Sequence, residues 1–500
     1  MSIEDLAPEI LQNIFDQALP AKAILSVREP PLLIAHVSPR WREIAFDTSS
    51  FWTNFVIDAY TGATHRQLLD LWLERSGQKP LRFGLNVPYY GAMGSMHARI
   101  APLIASLDSH AERWKEAELT IPNSLMVPLV ASAHCQFPLL ESLTLRSHGL
   151  IITATRGAVG APPGSSLQRS PRSEQAFPRL RNLVLSGTLD ILDKGILPWH
   201  KLLSLQSVGD NVDDALYFLE ACSSLEYFQF FWSRPGSAIT RARLPLFRSL
   251  RGLRITSQTL LPALNVPALT HLHLHSIWPR AGGPEPLETI SSLVARSGCT
   301  ESLESLIIDE GIICGRIDSL PRLLASLPAL AHLSLKFDHD PLPGIMVMAP
   351  ILEDVAYIPK LRSLILRGCH NDEDDSPILE RLLDALKQRV QQPHPPLQRV
   401  EITVQAWMSR VMRPRSGRTA PEEEYYNRHQ YMVPTTVVKE FQVFAAQSAP
   451  LEVRLVAARP IGGFRNRDGA FKYVNQVLVN TWGQAPLPNQ CWCTFCLSRN

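Results

Sequence analysis

Cysteine is scarce. The 500 residues hold eight, too few and too scattered for a disulfide framework. Five of them (Cys135, Cys222, Cys299, Cys314, Cys369) stand mostly beside apolar runs, as reduced core thiols do. Net charge is nearly absent: 49 Lys and Arg against 47 Asp and Glu leave a formal +2. A surface built for phosphate backbones needs a basic excess, so nucleic-acid binding is not the expected purpose. No apolar run reaches the ~18 residues that a membrane helix needs. The opening, Met1 to Asp5, is acidic and lacks the basic and apolar regions of a secretory signal. These absences imply a reducing compartment, cytoplasmic and/or nuclear, and no membrane partner. Catalytic signatures are also missing: there is no Gly-Lys-Ser/Thr phosphate loop, no Gly-x-Ser-x-Gly elbow and no His-Glu-x-x-His. The chain is not expected to be an enzyme or to carry a cofactor.

Proline is plentiful, at 40, and implies many short elements and turns. At the N-terminus two strings stand out. In Leu6 to Leu19, the residues Leu6, Ile10, Leu11, Ile14, Phe15, Ala18 and Leu19 recur at three- and four-residue steps, the stripe of an amphipathic helix. Pro8 suits its first turn and Glu9 the positive end of its dipole. In Val37 to Trp52, Ser38 is a ready N-cap with Pro39 at N1, and Trp41, Ile44 and Ala45 share a face. Between the strings, Pro30-Pro31 breaks the chain, and Leu32, Leu33, Ile34 and Val37 suggest a short middle helix. Three short helices bury little surface alone, so leftover apolar positions read as a docking face.

This stretch resembles the F-box, in its F-box-like variant. The residues that carry the resemblance are Leu6-Ala7-Pro8-Glu9-Ile10, Ile14-Phe15, Arg40-Trp41-Arg42-Glu43-Ile44-Ala45 and Phe51-Trp52. Ser38 replaces a common Cys, and Phe51 a common Leu. The likeness covers about a tenth of the chain. It implies contact with the Skp adaptor of a cullin–RING ubiquitin ligase through Leu6, Pro8, Ile10, Leu11, Ile14, Phe15, Val37, Trp41 and Trp52.

Beyond residue 110 one phrase repeats: a leucine, an apolar residue three later and another two later. It stands at Leu140/Leu143/Leu145, Leu180/Leu183/Leu185, Leu225/Phe228/Phe230, Leu250/Leu253/Ile255 and Leu269/Leu272/Leu274. It returns at Leu303/Leu306/Ile308, Leu330/Leu333/Leu335, Leu361/Leu364/Leu366 and Leu397/Val400/Ile402. Trp114/Ala117/Leu119 and Leu202/Leu205 are weaker copies. The phrase matches the leucine-rich repeat, L-x-x-L-x-L, a short strand whose last two apolar residues point inward. From Leu225 to Leu250 is 25 residues and from Leu303 to Leu330 is 27, within the usual range of about 20–29. Longer gaps elsewhere mark insertions. The fold class expected is therefore α/β: a three-helix F-box followed by an irregular solenoid with parallel strands on its concave face. The expected parts are an F-box-like domain (1–55), a helical linker or cap (56–112), repeats (113–410), a polar loop (411–433) and a terminal cap and tail (434–500).

The stretch Thr153 to Ala176 is Gly, Pro, Ser and Arg with almost no large apolar residue, and is expected to lack order. The strand His271-Leu272-His273-Leu274-His275 puts three imidazoles on one face. Residues i and i+4 of a strand lie ~13 Å apart, too far to share a metal. Cys491, Cys493 and Cys496 offer three thiols where a structural zinc wants four ligands. No metal is expected at either place.

Outward residues of the repeat strands are the expected contacts for a protein substrate: Arg146, Asn182, His271, His273, His275, Asp309, His332, Lys336, Arg367 and Glu401. Their mixed charge suits a protein partner. Taken together, these features imply the substrate-recognition subunit of a Skp–cullin–F-box ubiquitin ligase. The alternative is an interaction scaffold not coupled to ubiquitination.

Overall fold

The computed structural model describes residues 3–58, 65–87, 93–122, 125–126, 129, 136–147, 171–186, 197–209, 212–232, 246–256, 258–275, 285–309, 319–337, 342–370, 376–392, 396–405, 435–465 and 471–480. The chain forms two compact units, Met1–Ser233 and Arg234–Asn500.

The first unit opens with helices α1 (Pro8–Ala18), α2 (Leu32–Ala35) and α3 (Pro39–Asp47). The Ser38 side chain accepts from the Trp41 N–H at 3.2 Å, so the N-cap read from sequence forms. A 3-10 turn, Ser49–Trp52, follows, and the Trp52 indole donates to the Ala45 carbonyl at 2.8 Å. The chain then enters a sheet whose strands lie in sequence order: β1 (Ala23–Ile24), β2 (Asn54–Asp58), β3 (Leu81–Asn86), β4 (Trp114–Thr120), β5 (Ser142–Arg146), β6 (Asn182–Ser186), β7 (Ser204–Gly209) and β8 (Tyr227–Trp232). Every neighbouring pair is parallel. Helices α4 (His65–Arg75) and α5 (Met93–Asp108) cross over between β2 and β4, as parallel pairing requires.

Register explains the repeated phrase. Phe55, Phe83, Ala117, Leu143, Leu183, Leu205 and Phe228 align as one buried column across β2 to β8. Each inward side chain thus meets the same position of the next strand. Aromatic rings thicken this column in the first half: Phe83 meets Trp114 at 4.9 Å, Trp114 meets Phe137 at 5.1 Å, and Phe137 stacks on Phe177 at 4.9 Å.

The sheet begins earlier than the repeat phrase. Residues 56–112 are not only a helical cap: β2 and β3 belong to the sheet, and even β1 inside the N-terminal stretch pairs with β2, Ala23 opposite Phe55. The Lys22 ammonium reaches Glu118 Oε1 on β4 at 2.5 Å, a further tie between that stretch and the sheet. The reason the phrase missed them is spacing. Phe55/Ile57 and Phe83/Leu85 keep the two inward positions but lack the leading leucine three residues before. Of the stretch expected to lack order, residues 153–170 lie outside the described residues, and Pro171–Ala176 form a short helix.

The second unit repeats the plan. Strands β9 (Gly252–Ile255), β10 (His271–Leu274), β11 (Ser305–Ile308), β12 (His332–Lys336), β13 (Ser363–His370), β14 (Arg399–Gln405) and β15 (Glu452–Arg465) are parallel neighbours in chain order. Two buried columns run across them: Leu253, Leu272, Leu306, Leu333, Leu364, Val400, Val453, and Ile255, Leu274, Ile308, Leu335, Leu366, Ile402, Leu455. Helices Pro286–Ser297, Ser319–Ala325, Leu342–Glu353, Ser376–Gln391 and Thr435–Gln447 connect the strands. The first of these is capped at both ends. The Glu285 carboxylate accepts the Glu288 N–H at 3.2 Å, and Gly298 closes it at φ 65°, a conformation that favours glycine. Strand β16 (Phe471–Asn480) lies antiparallel to β15, so it covers the edge that β15 leaves open. Among the described residues no helix is long and apolar enough to cross a membrane.

Candidate functional site

Two places offer chemistry to a partner. The first is the N-terminal helical corner. Leu11, Phe15, Ile44, Ala45 and Trp52 are buried there, and the Phe15 and Trp41 rings join α1 to α3. The opposite side of α1 exposes Ile10 (48%) and Ile14 (40%), while α2 and the turn after it expose Leu33 (49%) and Val37 (59%). Exposed large aliphatic side chains this close in sequence are unusual on a folded surface.

These positions correct part of the expected adaptor set. Leu11, Phe15 and Trp52 are fully or almost fully buried, so they cannot touch a partner. The stripe on α1 is wider than one contact face, and it divides: its Leu11–Phe15 edge packs inward and its Ile10–Ile14 edge faces out. Pro8, Ile10, Ile14 and Val37 are exposed, whereas Leu6 and Trp41 are half-buried.

The second place is the outward face of the second unit's sheet. Alternation along each strand leaves Arg254, His273, Ile307, Ser334, Ile365, Glu401 and Arg454 in one outward row, by register. The row before it runs His271, Ser305, His332, Ser363, Arg399. Lys336 and Arg367 pair in the row after. Of the ten expected substrate contacts, Arg146 and Asn182 lie on the first unit and the other eight on the second.

Glu401 departs from expectation: it is only 5% exposed. Its carboxylate lies between Arg367 (Nε to Oε1, 3.5 Å) and Arg454 (Nη1 to Oε2, 3.8 Å). A carboxylate flanked by two long guanidinium side chains is covered by them and serves the sheet rather than a ligand. Ser305 and Ser334 are similarly buried, because strands ~4.8 Å apart let long neighbours close over short side chains.

The densest chemistry is at the end of β10 and β11. The His275 N–H donates to the Ile255 carbonyl and the Asp309 N–H to the Leu274 carbonyl, both at 2.9 Å. The ladder therefore continues one residue past each strand and fixes Asp309 beside His275. His273 Nε2 lies 2.5 Å from Asp309 Oδ2, and His275 Nδ1 lies 3.2 Å from the same oxygen. Burial works against the Asp309 charge, but the hydrogen bonds and charges of both imidazoles outweigh it. The carboxyl is held well below its usual range. An ionised carboxylate only accepts, so both ring nitrogens donate. Burial pushes His273 down from the ordinary imidazole value, partly offset by Asp309. His271 and His332 are pushed down as well, again chiefly by desolvation.

Sequence reading placed Asp309 on the outward face but did not join it to the imidazoles. Pairing between β10 and β11 makes that join, and no local pattern encodes it. The polar loop 411–433 and the cysteines Cys491, Cys493 and Cys496 lie outside the described residues. No protein-family model matches this chain, and no curated protein matches it significantly.

Proposed function

We propose that this chain is the substrate-recognition subunit of a Skp–cullin–F-box ubiquitin ligase. The observation that carries the reading is the exposed aliphatic set Ile10, Ile14, Leu33 and Val37, on α1, α2 and the turn after α2, within the stretch that holds the F-box-like residues. Such residues leave large aliphatic side chains unburied, as a protein-docking face does. In this reading the L-x-x-L-x-L strands form leucine-rich repeats, and their outward rows take the substrate. The mixture of His271, His332, Lys336, Arg367 and apolar Ile307 and Ile365 favours a protein surface over a phosphate backbone. The chain contributes proximity: it holds a substrate near a ubiquitin-loaded enzyme carried by other subunits, and performs no bond chemistry itself.

Co-expression with a Skp adaptor tests this. The two will co-elute from size exclusion, and replacing Ile10 and Ile14 together with Asp will abolish co-elution while leaving circular dichroism and melting unchanged. Failure of the wild-type pair to associate, or undiminished association of the variant, rejects the reading. An adaptor complex that supports no ubiquitination of any captured protein points instead to a scaffold.

A further inference from the structure

We infer that His273, His275 and Asp309 form a binding site for a zinc-class divalent cation on the outward face of the second unit's sheet. This inference concerns that sheet alone and stands whether or not the N-terminal helices dock an adaptor.

Geometry comes first. One ligand atom from each of His273, His275 and Asp309 lies within 4.8 Å of the other two, and His273 Nε2 and His275 Nδ1 are the nitrogens that meet Asp309 Oδ2. Zinc bonds of ~2.0–2.2 Å set at tetrahedral angles put ligand atoms ~3.4 Å apart. To surround an ion, the three groups therefore need small side-chain rotations and, on each ring, the proton on the nitrogen that does not face Asp309. Their backbones are already fixed, because the ladder bonds of His275 and Asp309 hold the strand ends in register. His271 takes no part. It lies one outward position earlier on the strand, where its Nδ1 meets the Thr270 hydroxyl at 2.7 Å. Three histidines of one strand are too far apart to share an ion, but here the third ligand comes from the neighbouring strand.

The donor set selects the ion. Two imidazoles with one carboxylate suit zinc and similar first-row divalent ions. Calcium and magnesium prefer all-oxygen shells, and copper(I) prefers sulfur. The carboxylate lies against both imidazoles and gives a cation an opposite charge to bind. One neighbour opposes it: Arg254, opposite His273 in register, places a positive charge nearby.

Three protein ligands leave a coordination position open. His273 and Asp309 are mostly covered, 18% and 21% exposed, while His275 is 44% exposed. The open position therefore faces solvent on the His275 side, where water or a donor atom of a docked protein completes the shell.

Untagged full-length protein, stripped with a chelator, tests the site by calorimetric titration with zinc chloride and by visible absorption with cobalt(II). One equivalent of zinc will bind, and cobalt will give the ligand-field band of nitrogen and oxygen donors without a near-ultraviolet thiolate band. Losing an outer-shell partner already costs ~10–100-fold in metal affinity. Loss of a ligand in Asp309→Asn, or in the more exposed His275→Gln, will therefore cost at least ~10-fold, with circular dichroism unchanged. Three outcomes overturn the inference: no zinc binding by the wild-type chain, a thiolate band that assigns the metal to cysteines, or affinity untouched by both substitutions. In that last case Asp309 is only a hydrogen-bond clamp for two histidines.

Discussion

The rings of Phe15 and Trp41 meet at 4.7 Å between centroids, tilted by 55°. This contact joins α1 to α3 and leaves the residue before Phe15 on α1, Ile14, facing outward. Adjacent residues of one helix therefore do different work: Phe15 holds the corner together, and Ile14 is available to a partner.

Separate measurements will resolve the two roles. Phe15→Ala removes a buried ring and will lower stability by about 3–5 kcal/mol. Ile14→Ala will change stability by less than ~0.5 kcal/mol, as exposed substitutions do. Under the proposed function it will weaken adaptor binding by about 2 kcal/mol, some 30-fold. Chemical denaturation and a binding titration read these in parallel. An Ile14→Ala protein that melts as low as Phe15→Ala contradicts the division.

Glu401 is the one expected substrate contact that the fold claims for itself. Replacing it with Ala leaves Arg367 and Arg454 near one another without their shared counter-charge. The second unit will lose about 1–3 kcal/mol, below the usual cost of breaking a buried pair because Arg367 is partly exposed and screened by water. Glu401→Gln keeps the shape and will recover part of the loss. Unchanged melting of Glu401→Ala will mean that the two arginines are held by other neighbours.

Acid will destabilise the second unit before its carboxylates titrate. His271 and His332 flank Ser305 on adjacent strands, and burial lowers both below the ordinary imidazole value of 6.5. Around His332, Arg362 and Arg399 add to the depression and Glu304 opposes it. For His271, Glu304 again opposes and His332 adds to it. A histidine whose folded pKa is lowered binds fewer protons folded than unfolded, so stability rises with pH across that window. Their contribution is complete above ~pH 6.5 and fades as pH falls below it. Melting curves from pH 8 down to pH 5 will therefore show decreasing stability, and His332→Gln will flatten the slope. A slope identical in wild type and variant removes His332 from this account.

Much of the fold follows from local periodicities. The leucine phrase located β5, β6 and β8 to β14, because a strand with one buried face must alternate, whatever it pairs with. Trp114/Ala117/Leu119 and Leu202/Leu205, though degenerate, lie on or beside β4 and β7. Ser38 and Pro39 marked the start of α3 through bonds made within one turn. Of the strands that went unread, β2 has the inward pair without the leading leucine, and β1 is only Ala23–Ile24, with one inward residue. They are recognisable only once their neighbours are placed beside them.

What the sequence alone determined is which residues alternate, which turn into helices and which strings resemble known ones. Tertiary structure decided which edge of the α1 stripe is covered: Leu11 and Phe15 are buried, Phe15 against Trp41 of α3, and Ile10 and Ile14 stay exposed. It also decided that Glu401 is enclosed and that Asp309 meets His273 and His275. Periodicity of 2 or 3.6 acts over a few residues, so a single stretch carries it. Register between β10 and β11 is fixed by the summed packing of two leucine columns and their ladder bonds, contributed by residues more than thirty positions apart, and no single stretch contains it.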